Sequence, residues 1–155
     1  PEMISNAYRK WYAEQGRLGL QDEPLYPGMF ELIHDLKNNK EFNIGVATNK
    51  SRIALNNGLK KHNLNEVFDI TLTMEEAKPK PDPDMAIQAM SKLNIKKKST
   101  VIVGDTINDI GLGVNAGINS IGVAWGYNSI EMLRNEGADF ITKDSEELYD
   151  TIINL

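Results

Sequence analysis

Apolar residues follow two spacings that alternate along the chain. Stripes with apolar residues three and four apart, typical of helices, are separated by short apolar runs typical of strands. Strands are predicted at 42–47, 68–72, 100–103, 118–124 and 138–141, and a helical pattern follows each of them. Helix starts are predicted at four places: at the caps Ser51 and Asp82, at Ser129, and at Asp144 or Ser145. Alternation of this kind indicates an α/β fold with a mostly parallel sheet.

Composition narrows the possible functions. The chain has 155 residues, enough for one domain with a core, and its net charge of -5 argues against non-specific nucleic-acid binding. It has no cysteine, which excludes disulfides, thiolate metal sites and cysteine nucleophiles. No apolar run approaches the roughly 18 residues of a membrane span. Since no targeting signal is visible, we expect a cytoplasmic protein without a membrane partner.

Polar and charged residues stand where predicted strands end. Thr48 and Asn49 follow the strand at 42–47, and Asp105 and Asp109 follow the strand at 100–103. A lysine-rich loop, K-P-K-P-D-P, begins at Lys78. Ligands of open parallel sheets bind beyond the carboxyl ends of the strands. A hydroxyl, an ammonium and two carboxylates there predict a site for a phosphoryl group and a hard divalent cation.

The hydroxyl and the lysine are expected to contact the phosphoryl group. Thr48 would donate a hydrogen bond to a phosphoryl oxygen and Asn49 would add an amide, although taken alone both residues could simply turn the chain. Lys78 would neutralise charge on the phosphoryl oxygens. Lys80 is the rival candidate. We favour Lys78 because the proline after it restricts its backbone and its approach to the sheet.

The two aspartates are expected to serve the cation. Asp105 follows a buried strand directly, and Gly104 allows close backbone approach, so Asp105 is predicted to bind Mg²⁺. Asp109 lies about one helical turn further and would hold a metal-bound water or the Lys78 ammonium. A carboxylate at a helix start could instead simply interact with the helix dipole.

From Tyr26 onwards the chain resembles the haloacid-dehalogenase superfamily phosphatases, of the phosphoglycolate-phosphatase-like branch. The resemblance covers about four-fifths of the chain and is carried, in the family's order, by Y-P-G, A-T-N-K-S, K-P-K-P-D-P, V-G-D-T-I-N-D-I, A-G-I and W-G-Y. It implies a three-layer Rossmannoid core. It also implies that Thr48 and Lys78 bind phosphate, that Asp105 binds Mg²⁺ and that Asp109 supports the metal shell. The implied reaction is phosphomonoester hydrolysis through an aspartyl-phosphate.

The chain departs from this family in one motif. The family's nucleophile motif, D-x-D-G-T after an apolar strand, is absent, and the only D-x-D begins at Asp82, which follows no strand. We therefore expect the central strand of the sheet to be missing. We also expect a chain of these 155 residues to have no phosphatase activity. Residues 1–25 are expected to be a cap remnant and residues 26–155 the core. We expect a natural protein roughly 50 to 60 residues longer at its N-terminus.

The same residues are also consistent with other functions. A sugar-phosphate mutase of the same superfamily would share Thr48, Lys78, Asp105 and Asp109. A non-catalytic pseudo-enzyme or binding domain is the third possibility. The partner is expected to be a small phosphorylated metabolite. Phosphoglycolate, pyrophosphate and a sugar phosphate are all candidates, because most of the cap, the segment that would select the substrate, is absent. The oligomeric state is not predicted.

Overall fold

The computed structural model describes Trp11, residues 13–18 and residues 23–155. Residues 13–18 are helical. The helix expected from Ile4 to Gln15 therefore lies largely outside the described residues. The boundary between a cap remnant and a core near residue 25 stays a prediction.

Within residues 23–155, helices and strands alternate as the hydrophobic pattern predicts. In chain order they are α1 Met29–Asn38, β1 Gly45–Thr48, α2 Arg52–Lys61, β2 Ile70–Thr73, α3 Asp84–Leu93, β3 Val101–Gly104, α4 Ile107–Ala116, β4 Asn119–Val123, α5 Ile130–Glu136, β5 Phe140–Thr142 and α6 Ser145–Ile153. A single 3₁₀ turn at Lys97–Ser99 precedes β3.

Three predicted helix starts are confirmed. In each, a side-chain oxygen accepts a hydrogen bond from the backbone N–H three residues on, which satisfies a donor that the helix itself leaves unpaired. The capping residues are Ser51, Ser129 and Asp144. The expected cap Asp82 stands one residue further out: α3 begins at Asp84, whose N–H donates to Asp82 Oδ1 at 3.0 Å. Pro83 occupies the N-cap position and has no side-chain oxygen to offer.

All strand pairs are parallel, as predicted, and they form two groups. β1 pairs with β2, from Gly45 opposite Ile70 to Thr48 opposite Thr73. The other group has the order β3-β4-β5. Within each group, parallel pairing brings the carboxyl ends of neighbouring strands to one edge, so the loops after β1 and β2 lie together, as do those after β3 and β4.

Helices cover both faces, which gives the three layers that the resemblance implied. On one face, α3 lies against β1 and β2 and α4 lies against β3 and β4. Their shared core includes Leu72, Met85 and Leu112, which are at most 2% exposed. The other face has a second core, formed by Leu32, Leu36, Ile121, Val123 and Leu148. Burying each such side chain contributes about 2 kcal/mol, so both layers stabilise the fold.

An apolar cavity of about 950 Å³ separates the two groups of strands. Val46 and Ala47 of β1 line it on one side, and Val101 and Ile102 of β3 line it on the other. Within the described residues, no strand pairs with the facing edges of β1 and β3. This cavity lies where the family's central strand was expected, and we call it the interstrand slot.

An ion pair anchors β2 to the start of α2. The Arg52 guanidinium donates to both carboxylate oxygens of Glu76, at 3.0 and 2.8 Å, and to the Thr71 hydroxyl and peptide oxygens. Glu76 also accepts hydrogen bonds from the backbone N–H and hydroxyl of Thr73. These bonds, above all those from Arg52, lower the pKa of Glu76 to about 2.

Candidate active site

Lys80 reaches across the end of the sheet from the loop between β2 and α3. Its ammonium donates to Asp109 Oδ1 at 2.5 Å and to the peptide oxygen of Ala47 at 2.8 Å. The lysine side chain is only 12% exposed and the Asp109 side chain 8%. Ala47 immediately precedes Thr48, so this ammonium lies between the carboxyl end of β1 and the start of α4.

This placement corrects the expected position of Lys78. The Lys78 side chain is 75% exposed, and its ammonium lies 3.9 Å from Asp82 rather than beside Asp109. Its backbone N–H donates to Asp84 Oδ2 at 2.9 Å. A proline follows Lys78, but a proline follows Lys80 as well. The local sequence therefore could not separate the two lysines, and the backbone path of the loop selects Lys80.

Asp109 is fully engaged by the protein. Its Oδ1 accepts from Lys80, and its Oδ2 accepts from the Thr106 hydroxyl at 2.7 Å and the Thr106 N–H at 3.0 Å. The Thr106 contacts form a capping box at the start of α4. Gly104 makes room for this carboxylate, since a Cβ built there would lie 2.1 Å from the Asp109 Cβ. The predicted role of Asp109 in a metal shell stays a prediction, while its expected ammonium contact is made by Lys80.

Asp105 is held by the loop after β4. Its Oδ2 accepts from the Tyr127 N–H at 2.9 Å, and its peptide oxygen accepts from the Asn128 N–H at 2.9 Å. Gly126 lies so close that a Cβ there would be 2.0 Å from the Asp105 Cβ. No hydrogen bond to Oδ1 is found from the described part of the chain, so this oxygen is available to a cation.

The donor set suits Mg²⁺ without completing its coordination. Mg²⁺ takes one or two protein carboxylates and fills the remaining positions with water and phosphate oxygens. Asp105 supplies one such carboxylate. Across Trp11, 13–18 and 23–155, no group of three or more His, Cys, Asp or Glu side chains is placed to hold a metal. A magnesium ion here would therefore need oxygens from water, from substrate or from a further side chain.

Thr48 is the last residue of β1 and Asn49 is the next residue, and the two side chains make different contacts. Thr48 Oγ1 accepts a 3.2 Å hydrogen bond from the Lys50 N–H, an arrangement that leaves the hydroxyl proton for another acceptor. Asn49 Oδ1 accepts from the Lys80 N–H at 2.7 Å, and Asn49 Nδ2 donates to the Lys80 peptide oxygen at 3.0 Å. The Asn49 amide, expected to contact phosphate, is thus bound to the Lys80 backbone. Its predicted substrate contact stays a prediction.

The family model described as haloacid dehalogenase-like hydrolase matches residues 1–123. The chain belongs to this family. Its motifs lie on the elements described above: A-T-N-K-S follows β1, the lysine loop precedes α3, and V-G-D-T-I-N-D-I joins β3 to α4.

Similar proteins agree with this assignment. The chain is 32% identical over 124 residues to pyrophosphatase PpaX of Bacillus velezensis, and the match covers 79% of this chain and 57% of that protein. A crystal structure of a predicted phosphatase from Clostridium acetobutylicum is 32% identical, with a TM-score of 0.75, covering 84% of this chain and 60% of that one. A haloacid dehalogenase-like family hydrolase from Streptococcus pneumoniae has a TM-score of 0.80 at 22% identity, covering 97% of this chain and 70% of that one, and this likeness shows the fold alone. The match thus spans little more than half of the PpaX relative.

No helix within the described residues combines the length and the hydropathy that crossing a bilayer requires.

Proposed function

We propose that this chain is the core of a Mg²⁺-dependent phosphatase that acts on a small phosphorylated metabolite. The placement of Lys80 is the observation that carries the proposal. Its side chain is only 12% exposed, and its ammonium is held by one carboxylate oxygen and one peptide oxygen at the carboxyl edge of the sheet. A buried cation in this position favours the binding of an anion. In phosphoryl transfer, negative charge is spread over the phosphoryl oxygens, and a nearby cation stabilises it.

Each side chain at the edge has a role in this proposal. The Lys80 ammonium neutralises charge on the phosphoryl oxygens, and the Thr48 hydroxyl donates a hydrogen bond to one of them. The open Oδ1 of Asp105 binds Mg²⁺. When bound, Mg²⁺ polarises a phosphoryl oxygen and offsets its charge. Asp109 holds Lys80 in place and keeps its ammonium at the sheet edge.

The nucleophile is proposed to come from a strand in the interstrand slot. A parallel strand between β1 and β3 would satisfy both facing edges and bury its apolar residues in the cavity. Its carboxyl end would lie at the same edge as Thr48 and Asp105, where a carboxylate could attack phosphorus. We propose that a chain of this sequence binds phosphate and Mg²⁺ but does not hydrolyse phosphate esters without that strand.

The relatives support a compact anionic substrate. The protein from Bacillus velezensis is named a pyrophosphatase. We propose that the substrate of this protein is a small phosphate ester or pyrophosphate, bound with Mg²⁺ at the edge formed by Thr48, Lys80 and Asp105.

The two lysines of the loop offer a matched test. The natural full-length protein and its Lys80→Met and Lys78→Met variants are assayed for phosphate release from p-nitrophenyl phosphate and pyrophosphate with Mg²⁺. Inorganic phosphate binding is measured alongside by calorimetry. We expect Lys80→Met to lower turnover by about a hundredfold or more and to weaken phosphate binding, while Lys78→Met leaves both unchanged.

Three outcomes would contradict the proposed roles of the two lysines or the phosphatase reaction itself. One is full activity in Lys80→Met. A second is loss of activity in Lys78→Met. A third is isomerisation of a sugar phosphate without release of phosphate, which would indicate a mutase. Turnover by a preparation verified by mass to contain only these 155 residues would remove the need for a strand in the slot.

A further inference from the structure

Asn49 pairs with the backbone of Lys80 as one peptide group pairs with another. Its Oδ1 accepts from the Lys80 N–H at 2.7 Å, and its Nδ2 donates to the Lys80 peptide oxygen at 3.0 Å. Both backbone groups of one residue are thus held by one side chain 31 residues earlier in the chain. Asn49 itself follows directly on the last residue of β1.

The consequence for the ammonium follows from the length of the lysine side chain. A lysine stem has four rotatable carbons, so its head is placed accurately only if its backbone is fixed and its far end is bound. Asn49 fixes the backbone, while Asp109 and the Ala47 peptide oxygen bind the ammonium. Two of these three supports, Asn49 and Ala47, come from the end of β1. The lysine is therefore tied to the strand that also positions Thr48.

The rest of the loop has its own support. Asn115 Nδ2 donates to the Pro81 peptide oxygen at 2.9 Å. Gly111 of α4 lies so close to Pro81 that a Cβ there would be 2.8 Å from the Pro81 Cβ. Removing the Asn49 amide would therefore release the Lys80 backbone while α4 still holds the residue after it.

We propose that Asn49 is a positioning residue, which acts on the reaction only through Lys80 and does not bind substrate. The inference rests on the phosphatase function proposed above, in which Lys80 contacts the phosphoryl group. It assigns the A-T-N part of the motif two separate tasks: Thr48 contacts phosphate, and Asn49 sets the approach of the lysine from the neighbouring loop.

Chemical reactivity of Lys80 tests the placement independently of activity. The full-length natural protein is treated with a limiting amine acetylating reagent, and acetylation of Lys80 is followed by peptide mass spectrometry. In Asn49→Ala the rate of Lys80 acetylation should rise by about fivefold. This is the factor expected when the loop between β2 and α3 loses the net stabilisation of roughly one hydrogen bond. Lys78, already 75% exposed, should react equally in both proteins. Asn154→Ala is the matched control, because Asn154 Nδ2 also donates to a peptide oxygen, that of Asp150 at 2.7 Å, but at the end of α6.

Steady-state kinetics then separates positioning from binding. We expect Asn49→Ala to lower kcat by about ten- to a hundredfold, since a misplaced catalytic group costs this much. We expect its KM for p-nitrophenyl phosphate to change less than its kcat, because Thr48 and the cation site are intact. Asn49→Asp, which accepts from the Lys80 N–H but cannot donate to its peptide oxygen, keeps the test informative if Asn49→Ala fails to fold. It should raise Lys80 acetylation by less than Asn49→Ala does.

Either of two results overturns the inference. Lys80 acetylation at the wild-type rate in every folded Asn49 variant shows that Asn49 does not hold the lysine. A raised KM with unchanged kcat and unchanged acetylation shows that Asn49 binds substrate directly. Faster acetylation in a protein without phosphatase activity would reject the proposed function and keep the positioning role.

Discussion

Two ion pairs near the carboxyl ends of the strands, Arg52–Glu76 and Lys80–Asp109, differ in how fully their cations are hydrogen-bonded. Arg52 gives Glu76 two hydrogen bonds, and Thr73 gives it two more. Lys80 gives Asp109 a single hydrogen bond, and Thr106 gives it two more. The Lys80 ammonium donates its other hydrogen bond to the peptide oxygen of Ala47. The Lys80 pair is nevertheless the more buried, at 12% and 8% exposure against 26% and 35%.

The difference indicates different tasks. The Arg52 guanidinium uses four N–H donors on Glu76 and Thr71, and this bidentate pairing ties the start of α2 to β2. A buried lysine with one carboxylate partner costs desolvation that such sparse pairing offsets poorly. We infer that the first pair serves stability and that the second is kept for the anion it can bind.

Removing the lysine gives the largest expected effect and tests the comparison directly. Lys80→Met should lower kcat/KM for phosphate-ester hydrolysis by about a hundred- to a thousandfold, as loss of one group that stabilises transition-state charge does. Arg52→Met should leave kcat/KM within about twofold, because Arg52 contacts only Glu76 and Thr71 among the bonds described for its guanidinium. Equal losses of kcat/KM in the two variants would remove the distinction between the pairs.

Gly104→Ala tests how tightly the Asp109 carboxylate is packed. The added Cβ would lie 2.1 Å from the Asp109 Cβ, so α4 must shift. We expect a loss of about 2 kcal/mol in the free energy of unfolding, measured by urea denaturation, together with reduced turnover. Gly58→Ala is the control: no atom lies within 4 Å of its added Cβ, and it should stabilise helix α2 by about 0.5–1 kcal/mol. An unchanged stability in Gly104→Ala would contradict the packing described here.

The pH dependence of stability sharpens the comparison from the Glu76 side. The folded pKa of Glu76 is about 2, below its ordinary value of 4.5, so its pairing stabilises the fold above about pH 4.5. This stabilisation should be lost as the pH falls from 4.5 towards 2. Because Glu76 is about one-third exposed, we expect only about 1 kcal/mol.

Glu76→Gln is the variant that isolates this contribution. It cannot titrate, so the difference in unfolding free energy from the wild type, measured by urea denaturation, should shrink between pH 5 and pH 3. A difference that is constant with pH would show that the Glu76 charge does not stabilise the fold.

Local pattern was sufficient to predict the order of helices and strands, their parallel arrangement and several helix starts. Ser51, Ser129 and Asp144 cap their helices as predicted, because a cap depends on residues only three apart. Local sequence also predicted that Thr48 and Asp105 stand at strand ends, because a short apolar run ends just before each of them.

Which lysine enters the site was decided by tertiary structure. Lys78 and Lys80 each precede a proline, and nothing within K-P-K-P distinguishes them. The choice depends on two residues that are distant in sequence. Asn49, 31 residues before Lys80, binds the Lys80 backbone with its side-chain amide, and Asp109, 29 residues after Lys80, accepts a hydrogen bond from the Lys80 ammonium. Contacts over such separations exist only once the strands are paired, so hydrophobic periodicity determined the scaffold and long-range hydrogen bonds determined the chemistry at its edge.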